Sequence, residues 1–135
     1  MTRFSDSKDL ERHLKKALDR LQSEVIVTVQ SELGSTKVSP YSTGRFRSSW
    51  FASEGAGTGA VASEGTDSPN TDATVLKVDS SKTYTLQNAL PYAQRLCVED
   101  YAVSQPKNWF INFTNVRVPR IQEAAARVVK QEFSL

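Results

Sequence analysis

The chain reads as an α+β fold in which a small, mainly antiparallel sheet packs against long N-terminal and C-terminal helices. Two observations carry this reading: apolar residues recur at helical spacing at both ends of the chain, and the middle is turn-rich with short alternating segments. At 135 residues the chain has the length of one domain with a substantial core, so a single domain over residues 1–135 is expected.

From about Asp6 to Leu33, the residues Leu10, Leu14, Ala17, Leu18, Leu21, Val25 and Val29 recur three or four apart and predict a long amphipathic helix. Six basic residues balance six acidic ones between Met1 and Leu33, which describes a solvated mixed face. Gly34 is placed to end the helix, and the β-branched run Val25 to Val29 also suits a strand.

Ser39 to Trp50 is the joint between this helix and the strand-like middle. Pro40 biases Ser39 toward extended backbone, and Thr43 is expected to cap one turn carrying Arg45, Phe46 and Arg47. Phe46 and Trp50, four apart, would share a face from which the arginines point away.

Ser53 to Asp72 reads as a long flexible loop, or a hairpin whose arms include Ala60-Val61-Ala62. Its only charged residues are Glu54, Glu64, Asp67 and Asp72, so it is acidic and suited to ordering against a basic neighbouring subunit. Thr74 to Asp79 and Thr83 to Asn88 predict a hairpin, with Leu76, Val78, Tyr84 and Leu86 facing inward. Pro91 fits the first turn of a helix running to about Asp100, with Ala93, Leu96 and Cys97 on one side. After the Gln105–Asn108 turn, Asn108 is placed to cap a helix from Trp109. Phe110, Phe113, Val116 or Arg117, Ile121, Ala124, Val128 and Phe133 continue the helical period, while Pro119 predicts a kink or a second helix starting near Val118.

A net charge of +2 and 39% hydrophobic residues describe an ordinary folded chain rather than a dedicated nucleic-acid binder or a disordered one. No apolar run approaches the roughly 20 residues that cross a bilayer, so no membrane role is expected, and a lone Cys97 agrees with a reducing cytosol. No catalytic constellation, cofactor motif or metal-ligand set is read. His13 lies among charges on the polar side of the first helix, Cys97 reads as a buried thiol, and Gly55-Ala56-Gly57-Thr58-Gly59 lacks the Lys-Ser/Thr ending of a phosphate loop. Asn112-Phe113-Thr114 matches a glycosylation acceptor by coincidence, since no secretory segment accompanies it. Between Gln105 and Leu135, Lys107, Arg117, Arg120, Arg127 and Lys130 outnumber Glu123 and Glu132, a local surplus able to face DNA.

Three blocks carry a family resemblance: Thr43-Gly44-Arg45-Phe46-Arg47-Ser48-Ser49-Trp50, Asn88-Ala89-Leu90-Pro91-Tyr92-Ala93 and Gln105-Pro106-Lys107-Asn108-Trp109-Phe110. In this order they resemble the tail-component family of tailed bacteriophages that includes neck and tail-completion proteins, in which Gly commonly stands where Asn108 does here. The resemblance implies a structural virion protein without enzymatic activity. It would be built in the host bacterial cytoplasm into a homo-oligomeric ring, a hexamer, that joins head to tail around the DNA passage. Its partners would be neighbouring neck, connector and tail proteins. It further implies that Arg45, Arg47, Trp50, Tyr92 and Trp109 lie at subunit interfaces, and that Lys107, Arg117, Arg120, Arg127 and Lys130 line the channel with weak, sequence-independent DNA contacts. The alternative is a small nucleic-acid-binding module that uses the basic C-terminal region and Trp109; its binding would weaken steeply with salt.

Overall fold

Helix α1, Ser7–Leu33, begins where Asp6 holds extended backbone and its carboxylate accepts the Asp9 N–H at 2.8 Å. It ends at Gly34, whose N–H reaches the Gln30 carbonyl at 2.9 Å. The computed structural model describes residues 6–35, 38, 44–97 and 108–135; the expected Thr43 cap, the Pro40 and Gln105–Lys107 turns and residues 98–100 lie outside them. Gly34 is right-handed, so its lack of a side chain answers to packing: a Cβ there would sit 2.9 Å from the Pro69 Cβ. Val25 to Val29 stays helical because Val25 and Val29 lie on the face that packs against the core.

Strands β1, Trp50–Glu54, and β2, Tyr84–Asn88, form a two-stranded antiparallel sheet with Trp50 opposite Asn88 and Glu54 opposite Tyr84. The fold is therefore α+β, as expected, but the strand partner is not. Thr74 to Asp79 forms no strand. Asp72–Val75 winds into a short 3-10 turn that buries Ala73 and anchors it to α1 through the Ala73 N–H and the Gln30 side-chain carbonyl, 3.1 Å apart. Leu76 and Val78 are half-buried, yet the Asp79 N–H goes to the Tyr84 hydroxyl at 2.7 Å rather than into a ladder. Tyr84 itself is half-buried, and no strand forms at Ala60 to Ala62.

Pro91 lies in the turn that leads into α2, Ala93–Cys97, which buries Ala93 and Cys97. Helix α3, Trp109–Asn112, runs through a π-helical turn, Phe113–Arg117, into α4, Val118–Glu132. Pro119 explains the widened turn: it has no N–H, and its ring would collide with the Asn115 carbonyl in an ordinary α-helix. The second helix thus starts at Val118, as expected. Asn108 precedes α3 in the left-handed conformation, φ 61°, and makes no side-chain cap bond, which corrects the capping role expected of it. In α4 the buried positions are Ile121, Ala125 and Val129, whereas Ala124 and Val128 are exposed. The expected register was off because Ala124-Ala125-Ala126 offers three equivalent small residues.

Helices α1 and α4 run antiparallel, since Glu32 pairs with Arg117, Arg20 with Glu132, and His13 meets Phe133. The core lies at the other end of the packing, where Leu33, Phe46, Trp50, Leu90, Ala93, Cys97, Trp109, Phe113 and Ile121 form one buried cluster. Leu10, Leu14 and Leu18 lie beyond it and are 38, 40 and 52% exposed.

Candidate functional site

Gly44 at φ 85° opens a single helical turn in which the Ser48 N–H reaches the Gly44 carbonyl at 3.1 Å. Ser48 and Ser49 are almost fully buried, and their hydroxyls donate back to the carbonyls of Gly44 and Arg45 at 2.8 and 2.7 Å. This satisfies both hydroxyls and fixes the turn, so Phe46 and Trp50 project to one side, their rings edge-to-face at 5.7 Å.

Around these two rings the three sequence blocks meet. Asn88 donates to the Phe46 carbonyl at 2.8 Å, Trp109 stands edge-to-face to Phe46 at 6.4 Å, and Phe110 stacks on Trp50 at 5.9 Å. The Trp109 indole N–H donates to the Leu96 carbonyl at 2.7 Å. Trp50 and Trp109 are only 4 and 6% exposed, so their rings are committed to the core of the chain. Tyr92 sits on the rim of this knot, 36% exposed, with its ring 6.4 Å from Phe46.

The arginines do turn away from the aromatics, onto the chain's own acidic loop. Arg45 Nε donates to the Ala62 carbonyl at 2.9 Å, and the Ala62 N–H donates to the Ser49 hydroxyl at 3.1 Å. Arg47 donates to the Gly34 carbonyl at 3.1 Å, to the Asp67 carboxylate at 2.8 Å, and also to the Asp67 carbonyl. The loop is further tied where the Gly59 N–H meets the Gln87 side chain at 3.1 Å. The segment expected as a long flexible loop or hairpin is tied to the rest of the chain at several points.

On α4, Arg120, Arg127 and Lys130 are exposed, with Glu123 placed among them by helical spacing. Arg117 is also exposed, and its guanidinium is paired with Glu32 through two hydrogen bonds of 2.6 and 2.7 Å, which raises its pKa. Lys107 lies outside the described residues. A second basic group, Lys8, Arg12, Lys15 and Lys16, follows α1 with Glu11 among it. Within it Lys15 bridges Asp19 and Asp79 at 2.6 and 2.8 Å, raising the lysine pKa and holding both carboxyls below their ordinary range.

His13, expected as a surface residue, is half-buried, with Nε2 2.7 Å from the Phe133 carbonyl and its ring edge-to-face to Phe133. It fastens α1 to the end of α4. Burial pushes the Cys97 thiol up to about 12, well away from thiolate chemistry at neutral pH. Among the described residues no group of three or more His, Cys, Asp or Glu is arranged to hold a metal ion, and no helix is long and apolar enough to cross a membrane.

Sequence reasoning missed a polar pair, buried Gln30 and half-buried Asp72. The Gln30 amide donates to the Trp50 carbonyl at 3.0 Å and to the Asp72 carboxylate, which also accepts the Ala52 N–H at 3.1 Å. The available signal was an amide between Val29 and Leu33 at the apolar end of the helix; its partner 42 residues later had none. Comparison with known families, with curated proteins and with solved structures finds no match to this chain.

Proposed function

We propose that this chain is a structural subunit of a tailed-phage virion, a neck or tail-completion protein that closes into a homo-oligomeric ring, a hexamer, between head and tail. The observation that carries the reading is the convergence of the three resembling blocks on one knot: Phe46 and Trp50 from the first, Asn88 and Tyr92 from the second, and Trp109 and Phe110 from the third. Residues that far apart in the chain behave as one unit, as expected of a shared scaffold. The work is done by surfaces, and no chemical step is needed.

Ring closure requires one patch of each copy to meet a different patch of the next. Leu10, Leu14 and Leu18 form such an apolar stripe, and burying it against a neighbour would remove three large side chains from water. Arg120, Arg127 and Lys130 then line the DNA passage, where modest repeated charge guides a duplex without gripping it. Negative-stain imaging and sedimentation of the purified chain test the reading. Closed rings that disperse when Leu14 and Leu18 are both changed to glutamate are expected. A chain that stays monomeric at millimolar concentration and binds duplex DNA at submicromolar concentration overturns it in favour of the nucleic-acid-binding module.

A further inference from the structure

The way the loop lies on the Arg45–Arg47 turn shows what that turn accepts. Ala62 is held at both of its backbone groups, by Arg45 Nε at 2.9 Å and by the Ser49 hydroxyl at 3.1 Å. Five residues on, Asp67 places its carboxylate and its carbonyl in the fork of Arg47. Two glycines floor the site. A Cβ on Gly44 would stand 1.9 Å from the Asp67 carboxylate, and one on Gly34 would stand 2.9 Å from the Pro69 ring. Between the anchors, Ser63, Glu64 and Gly65 are exposed. The surface therefore has the form of a peptide-binding site: backbone bonds to a small buried residue, a guanidinium fork for a carboxylate, and a floor without side chains. Each contact except the chain connection itself is reproducible by the same segment arriving from another molecule.

We propose that the Arg45–Arg47 face is a docking site for an acidic extended segment, and that in an assembly its occupant is the loop 62–69 of a second copy, exchanged for the chain's own. Charge supports this occupant, since Glu64 and Asp67 are the only charged residues of that segment and the receiving turn presents two arginines. Exchange leaves the contacts unchanged while joining copies head to tail, which suits a ring. The exchange rests on the assembly reading above; the docking does not.

The first probe is a synthetic peptide covering residues 60–70, titrated against the full chain and against a variant whose residues 62–69 are replaced by a glycine-serine segment of equal length. The peptide is expected to bind the loop-replaced variant at least roughly tenfold more tightly than the intact chain, whose own loop competes. Changing Asp67 to alanine in the peptide should weaken binding by roughly tenfold, and Gly44→Ala in the protein should abolish it. If loop replacement costs the fold, as near-ultraviolet circular dichroism would show, Asp67→Ala in the full chain loosens one anchor and replaces it in the comparison. Equal binding to covered and uncovered faces, or none to a folded uncovered face, overturns the docking.

The second probe mixes the loop-replaced variant with an Arg45→Ala, Arg47→Ala variant; the first lacks a loop and the second lacks a receiving face. Association of the two with each other, and of neither with itself, supports exchange. Rings formed by the unmodified chain without such association overturn exchange and leave the assembly reading intact. Peptide docking in a chain that never forms rings overturns the assembly reading alone.

Discussion

Replacing Gln30 by alanine removes an amide that helix α1, strand β1 and the Asp72–Val75 turn all share. The side chain is 2% exposed, donates to the Trp50 carbonyl at 3.0 Å, and accepts the Ala73 N–H at 3.1 Å. Truncation leaves the Ala73 N–H without its Gln30 partner away from water, at about 1–3 kcal/mol, and takes one hydrogen bond from the Trp50 carbonyl, at about 0.5–1.5 kcal/mol. Loss of one buried methylene adds about 0.8 kcal/mol. Release of the ordered side chain returns about 1.5–2 kcal/mol. The net loss is about 0.3–3.8 kcal/mol, at its upper end a large part of the roughly 5–15 kcal/mol that holds a domain folded. Urea unfolding followed by tryptophan fluorescence reads it directly, because Trp50 and Trp109 both lie in the core. The midpoint should fall with an unchanged slope. Gln30→Leu refills the volume but forfeits the same hydrogen bonds, so it should recover only part of the loss. A Gln30→Ala variant no less stable than the parent chain would refute the reasoning, since the Ala73 N–H left without a partner should alone cost about 1–3 kcal/mol. Asp72→Ala should be markedly non-additive with it, because the two side chains bond each other and both reach β1.

Asn108→Ala should cost about 1 kcal/mol more than Asn108→Gly, because φ is 61°; equal melting temperatures for both variants would contradict this. Asp19 and Asp79 have pKa values lowered from 3.8 by Lys15, so their contribution to stability is present above about that pH and is lost as pH falls below it. Melting at pH 3 and pH 7 should therefore differ less in an Asp19→Asn, Asp79→Asn variant than in the parent chain, and an undiminished difference would remove this pair as a source of acid sensitivity. Cys97 should resist a thiol reagent at pH 8 in the folded chain and react on unfolding, consistent with burial that raises its pKa to about 12; prompt native-state labelling would contradict that burial.

Helix α1 was legible to within a residue because its signals are local: a stripe at three-and-four spacing and a glycine at the end. The break before Val118 was legible for the same reason, since a proline's missing N–H acts on its own helix wherever it lies. Phe46 and Trp50 were expected together on one face, and one turn of backbone places them there.

Tertiary contacts decided the rest. Strand β2 alternates as a strand should, but its partner is Trp50–Glu54, 38 residues away at the Trp50–Asn88 pair, and alternation alone names no partner. In α4 three consecutive alanines left the phase open until packing against α1 selected Ala125 over Ala124. Arg47 and Arg117 counted as surface charge in the sequence; they are paired because the fold brings Asp67 and Glu32 within reach. Gln30 shows the physical reason most plainly. A polar side chain reads as solvated until the fold buries it, and it is then held by whichever unpaired backbone groups the same burial brings to it.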